Sequence, residues 1–132
     1  MAEEMPEALA AMKEVEIDEK GIFKYLLLKV YDNESKTREP SKLVIRGSAK
    51  FPEHADILED FLAIAFIKQR LDCDILGGGK INRDPEKKHM KIYGYSMGFG
   101  KANHEDTAKV LKKSYPDYTF ECTDDECKPY GY

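Results

Sequence analysis

Val15-Glu16-Ile17-Asp18 alternates apolar and polar side chains, the two-residue period of a short strand. The run 22–31 is rich in Ile, Phe, Tyr, Leu and Val. Its centre, Leu26-Leu27-Leu28, has no polar interruption, which predicts a strand covered on both faces. Lys24 breaks that apolar setting near the strand's start, so it either reaches solvent along its stem or faces an anion. Residues 32–41 are polar, contain Pro40 and read as a loop. A second strand follows over 42–47. Residues 52–71 have helical spacing, with Leu58, Phe61, Leu62, Ala65 and Gln69 on one stripe and Ile57, Ile64, Ile67 and Leu71 on the next. So wide an apolar arc suits packing against a sheet. Pro52 fits the first helical position, where its missing donor costs nothing, and this puts His54 in the first turn.

Beyond the helix, residues 73–76 read as a short strand and Gly77-Gly78-Gly79-Lys80 as a turn. Residues 82–88 form a charged loop and 90–95 another strand. Asn103 reads as an N-cap with Asp106 three positions on, opening a helix to about Ser114 with Val110 and Leu111 inward. Tyr115-Pro116 ends it, and 118–122 is the last strand. Strands, helix, strands, helix, strand predicts an α/β (α+β) fold: a single mixed β-sheet of about six strands with two helices. Residues 1–13 are rich in Ala and Glu without a matched apolar face and read as a mobile tail, with nascent helix as the structure it could carry.

At 132 residues the chain has the length of one domain with room for a real core. No apolar run approaches a membrane span, and the start, Met1-Ala2-Glu3-Glu4, lacks a signal peptide's basic and apolar regions, so a cytoplasmic location is expected. The three cysteines, Cys73, Cys122 and Cys127, suit a reducing compartment and read as structural or incidental. The net charge of −4 hides an asymmetry. Residues 1–20 carry seven acids and two bases, residues 117–132 five acids and one base, and the middle eighteen bases and thirteen acids. A basic centre between acidic ends suits a small anionic ligand better than a nucleic-acid track.

Several chemistries find no support. His54, His89 and His104 are not at metal-ligand spacing on a common helix face, so no metal is expected. Gly94-Tyr95-Ser96-Met97-Gly98 matches Gly-x-Ser-x-Gly in letters, but no helix follows the serine as a nucleophile elbow requires. Gly77-Gly78-Gly79-Lys80 lacks the spacer and ending of a Walker loop. Cys73 has no basic neighbour or helix start to favour its thiolate. What remains is anion chemistry. Ser96-Met97-Gly98 follows a strand and could form a nest of N–H groups. Lys24, Arg46 and Lys80 sit at strand ends or beside glycines. His54 adds a base at a helix N-terminus, where unsatisfied N–H groups attract phosphate and disfavour imidazolium.

These stretches resemble one family. Gly21-Ile22-Phe23-Lys24-Tyr25, Val44-Ile45-Arg46-Gly47 and His54-Ala55-Asp56-Ile57 are similar to segments of the small cytosolic phosphohistidine phosphatases, the janus/ocnus family. So are Leu76-Gly77-Gly78-Gly79-Lys80-Ile81, Tyr93-Gly94-Tyr95-Ser96-Met97 and Tyr115-Pro116-Asp117-Tyr118. They recur in order over about 14–120. The resemblance implies that His54 is the catalytic histidine, as general base or phosphoryl acceptor, and that Lys24 contacts the phosphoryl group. It further implies that Ser96, Met97 and Gly98 form the phosphate-binding loop, supported by Arg46 and Lys80. Lys80 stands where the family often has arginine, giving a point charge in place of a fork.

The resulting expectation is a metal-independent, cofactor-free protein phosphohistidine phosphatase acting as a monomer on phosphohistidine-containing proteins, phospholysine being a second possible substrate group. Neither nucleic acid nor membrane is expected as a partner. The domain would span 14–122, between an N-terminal tail, 1–13, and a C-terminal tail, 123–132. A non-catalytic phosphate-recognition or regulatory module on the same scaffold is the alternative. It would need the cations but not the base.

Overall fold

The computed structural model describes residues 5–123. Its elements run α1 (Glu7–Ala11), β1 (Val15–Glu16), β2 (Gly21–Asp32), β3 (Ser41–Gly47), α2 (His54–Ala65), β4 (Leu71–Asp84), β5 (His89–Tyr93), α3 (His104–Ser114) and β6 (Thr119–Cys122). The six strands form one mixed sheet in the order β1-β3-β2-β4-β5-β6. Pairing is antiparallel through the centre and parallel at both edges, β1 on β3 and β6 on β5. The fold is α+β.

β2 lies in the middle, and its alternation divides the core in two, because successive strand residues point to opposite faces. Phe23, Tyr25 and Leu27 pack with Val110 and Leu111 of α3. Leu26, Leu28 and Val30 pack with Ile57, Phe61 and Ala65 of α2. The unbroken apolar run in β2 therefore reflects a sheet covered on both faces, as its sequence predicts.

Three sequence expectations give way. Within the segment read as a mobile tail, residues 7–11 are helical and Leu9 is fully buried against the α2 side of the sheet. Leu9 is joined there by Met5, Ala8 and Met12, which pack on the same cluster and dock the short helix. Among the described residues there are thus three helices.

The helix expected over 52–71 starts and stops inside those limits. Glu53 is the N-cap and Pro52 precedes it, while Asp56 closes the first turn by accepting the Glu53 N–H at 3.0 Å. At the other end Arg70 adopts φ 60°, which turns the chain so that Leu71 opens β4 as a buried strand residue.

The triple glycine, finally, is no turn. Gly77, Gly78 and Gly79 lie inside β4, opposite Leu27, Leu26 and Tyr25 of β2, and the ladder slips register between Leu27 and Leu28. α3 matches its sequence reading closely. The Asn103 side chain accepts from the N–H groups of Glu105 and Asp106, and Lys112 and Lys113 occupy the last turn.

Candidate active site

The glycines of β4 are small because two histidines press on them from opposite faces. A Cβ at Gly78 would lie 2.8 Å from His54 Cδ2, and one at Gly79 would lie 2.7 Å from His104 Cε1. Both distances are below any normal carbon contact. His54, the first residue of α2, therefore lies over the sheet at Gly78 on the α2 face, only 6% exposed. Its Nε2 lies 3.0 Å from the Gly79 carbonyl oxygen. A carbonyl only accepts, so Nε2 carries the hydrogen, and in the neutral ring Nδ1 carries the lone pair.

Lys24 of β2 and Lys80 of β4 are direct cross-strand partners, and Tyr93 of β5 pairs with Lys80 from the other side. Directly opposed residues share a face. Leu26 and Gly78, one pair along the same face, lie under α2 and His54, so both lysines stand beside the histidine. Lys24 donates to the Pro52 carbonyl and comes within 3.9 Å of Glu53, with a fifth of its side chain exposed. The pKa of His54 is lowered, mainly because burial strips water from the charged ring. The Gly79 carbonyl opposes that shift, Lys24 adds to it, Glu53 opposes it and Lys80 adds to it. From the sequence the helix terminus pointed the same way; in the structure desolvation leads.

Ser96, Met97 and Gly98 lie in a tight loop that runs back alongside β4. Ser96 and Gly100 exchange backbone hydrogen bonds of 3.0 and 2.8 Å, Gly78 N–H donates to Gly100 O, and Ala102 N–H donates to Gly78 O. Gly78 thus anchors the loop and faces His54 at once. The Ser96 N–H is used inside the loop, and its Oγ accepts from Phe99 N–H at 3.1 Å. The N–H groups of Met97 and Gly98 have no acceptor among the described residues, which makes them the pair open to a ligand. Met97 projects its side chain into solvent, 83% exposed, and space around Gly98 is open.

Arg46 is placed apart from this group. Its guanidinium donates to the carbonyls of Ile45 and Lys13, lies 3.5 Å from Glu16 and stacks 5.5 Å from the Phe61 ring centroid. It lines a cavity of about 730 Å³ with Gly47, Phe51, Asp60 and Phe61, and neither His54 nor Lys24 borders that cavity. Its contacts tie β1 and the chain before it to β3.

Cys73, as its sequence surroundings suggest, is a poor nucleophile: burial, then Asp72 and Asp74, push its thiol up to about 12. Cys122 donates to the His104 carbonyl at 3.4 Å, and Cys127 lies outside the described residues. Among the described residues no group of three His, Cys, Asp or Glu side chains is arranged to hold a metal ion.

Sequence reasoning missed His104, whose buried ring bonds to Tyr25 and to the Gly94 carbonyl. The only local sign was its place after a strong N-cap. Glu53 was also missed as the acid next to Lys24.

Comparison with known proteins gives the family. A sequence model of the Janus/Ocnus family matches residues 9–119. Sex-regulated protein janus-A of Drosophila melanogaster is 47% identical over 119 residues, covering 90% of this chain and 84% of the relative. The janus-A protein of Drosophila pseudoobscura pseudoobscura is 47% identical, covering 89% and 78%. The 14 kDa phosphohistidine phosphatase of Sus scrofa is 38% identical over 119 residues, covering 89% of this chain and 94% of the relative. The chain belongs to the Janus/Ocnus family.

Proposed function

We propose that the protein is a phosphohistidine phosphatase that hydrolyses the P–N bond of phosphohistidine in proteins, with His54 at the reacting centre. One observation carries the reading: a buried histidine whose Nε2–H is fixed by the Gly79 carbonyl, so that Nδ1 keeps the lone pair, on the sheet face that also carries the Lys24–Lys80 pair. A phosphate-binding module needs the lysines and the loop. It has no use for a base whose tautomer is fixed and whose neutral form is favoured by burial. The porcine relative's name supports the activity; the name janus-A states none.

In the hydrolytic step, water attacks phosphorus as His54 Nδ1 takes one of its protons. The P–N bond breaks, its electron pair goes to the departing imidazole nitrogen, and that nitrogen takes the proton that water gave to His54, which returns the His54 ring to neutral. Free histidine side chain and inorganic phosphate are the products. In the alternative step, Nδ1 attacks phosphorus itself, and water then releases the phosphoryl group from His54. In both, charge on the equatorial oxygens is met by Lys24, by Lys80 and by the Met97 and Gly98 N–H groups. Lys24 would exchange the Pro52 carbonyl for a phosphoryl oxygen. Ser96 shapes the loop through its accepted bond from Phe99 N–H. Phospholysine has the same P–N bond and fits the same step.

The reading requires no metal. Its natural setting is the cytoplasm, where free thiols such as Cys73 and Cys122 stay reduced. Among the described residues no helix is long and apolar enough to cross a membrane. Release of phosphate from a phosphohistidine-containing peptide by the purified protein, lost in His54→Ala, tests the proposal. An active His54→Ala protein, or a folded wild type without turnover, contradicts it.

A further inference from the structure

Behind the glycines, on the face away from His54, the structure holds a second polar network that the reaction does not touch. Tyr25 OH lies 2.7 Å from His104 Nδ1 and 2.9 Å from Thr107 Oγ1, and His104 Nε2 lies 2.8 Å from the Gly94 carbonyl oxygen. Tyr25, His104 and Thr107 are all buried, with no more than 4% exposed. A carbonyl cannot donate, so the His104 hydrogen is on Nε2. The neutral ring then accepts at Nδ1, Tyr25 is the donor there, and Thr107 donates to the Tyr25 oxygen. The bonds run one way, from Thr107 through Tyr25 and His104 to Gly94. Burial raises the phenol pKa, which keeps Tyr25 a donor at any working pH.

The end of this chain matters because of where Gly94 sits. It follows Tyr93, the partner of Lys80, and takes φ 76° to leave the sheet. The segment that begins there carries Ser96, Met97 and Gly98. At its far side the segment is tied to Gly78 through Gly100 and Ala102. Its near side is held by the His104 hydrogen bond.

We propose that Tyr25 is a positioning residue for the phosphate-binding loop: by donating to His104 Nδ1 it fixes the tautomer whose Nε2–H holds the Gly94 carbonyl, and so sets where the Met97 and Gly98 N–H groups point. The inference rests on the reading of that loop as the phosphoryl site. Tyr25→Phe keeps the ring that packs behind Gly79 and removes only the donor. Without it the His104 hydrogen is free to move to Nδ1, which would turn a lone pair toward the Gly94 carbonyl.

The test uses the whole protein, with inorganic phosphate as probe followed by NMR at the loop amides, and nitrogen shifts of the His104 ring for its tautomer. In wild type the His104 hydrogen is on Nε2. In Tyr25→Phe the tautomers mix, phosphate affinity falls about tenfold, the scale of one lost buried hydrogen bond, and kcat on a phosphohistidine peptide falls with it. Thr107→Val gives a smaller loss of the same kind, and Thr107→Ser, which keeps the hydroxyl, recovers it; this pair decides the matter if Tyr25→Phe does not fold. Unchanged phosphate affinity and His104 tautomer in folded Tyr25→Phe overturns the inference, and so does equal behaviour of Thr107→Val and Thr107→Ser. A wild type that binds phosphate without hydrolysing the peptide removes the proposed function and leaves the phosphate arm to judge the loop.

Discussion

His54 and His104 stand on opposite faces of the same strand, one against Gly78 and the other against Gly79. Each also takes a backbone carbonyl through Nε2, His54 that of Gly79 and His104 that of Gly94. Neither glycine can gain a side chain without displacing an imidazole. The site therefore depends on an absence of side chains at the sheet's centre as much as on the groups above it.

Glycine substitutions should separate sharply. At Gly78 a Cβ would lie 2.7 Å from the Tyr25 carbonyl oxygen and 2.8 Å from His54 Cδ2, so Gly78→Ala must move backbone or the histidine. It should lose most activity and several kcal/mol of stability, on the order of a severe core clash. Gly98 has nothing within 4 Å of such a Cβ and no left-handed φ, so Gly98→Ala should keep the melting temperature of wild type. Thermal melts of the two variants check this; equal melting temperatures would show that Gly78 tolerates what the geometry forbids.

The cations give the second contrast. Lys24→Ala removes a charge beside His54, whereas Lys36→Ala removes an exposed lysine from the loop after β2. A charge-assisted hydrogen bond to phosphate contributes ~1.5–3 kcal/mol, so Lys24→Ala should weaken phosphate binding roughly tenfold to a hundredfold. Lys36→Ala should stay within about twofold. Calorimetric titration with inorganic phosphate measures both, and similar small losses would remove Lys24 from the site.

The third prediction concerns pH. The His54 pKa lies below the reference of ~6.5, chiefly through desolvation. In the window between the folded value and ~6.5 the unfolded chain binds more protons than the folded one. The stability from this residue is therefore complete above ~6.5 and is lost as pH falls through the folded pKa. The log of kcat/KM should rise with pH through the same lowered midpoint and then level off, because the neutral ring is the active form. Bound phosphate should raise the midpoint, since an anion favours imidazolium. Titration of the His54 ring by NMR, with and without phosphate, reads both. A free-protein midpoint above the reference would make His54 a cationic phosphate ligand instead of a base.

Chelation supplies the fourth. Every group in the proposed step is a side chain or an N–H of this chain, so turnover should survive EDTA. Loss of activity on chelation, with recovery on adding one divalent ion, would require a different mechanism.

Much of this was legible from local chemistry. The apolar centre of β2 and the Asn103 cap follow from patterns complete within a few residues, and the structure has both. The first-turn position of His54 was legible despite the shifted cap, because Glu53 and Asp56 close the helix start in Pro52's place. The glycines of β4 were not. Glycine in sequence suggests a turn, while the reason for these three is the approach of residues far along the chain. His104 bonds to Tyr25 across 79 positions, and no window of sequence contains both. Leu9 was hidden for the same reason: its burial, and the packing of Met5, Ala8 and Met12 beside it, depend on a sheet built later in the chain. Arg46 drew attention as a cation next to a glycine, but the Lys13 carbonyl and Glu16 that hold it come from another segment of the chain.

The central claim is that His54 acts at the reacting centre of phosphohistidine hydrolysis, as the base on water or as the phosphoryl acceptor. The most direct measurement is phosphate release from a phosphohistidine peptide by wild type and His54→Ala, side by side, with circular dichroism to show that both are folded. The account predicts multiple turnovers by wild type and loss of at least about a hundredfold in the variant, the scale of a general base. A folded His54→Ala protein with near wild-type turnover, or a folded wild type with none, would contradict it.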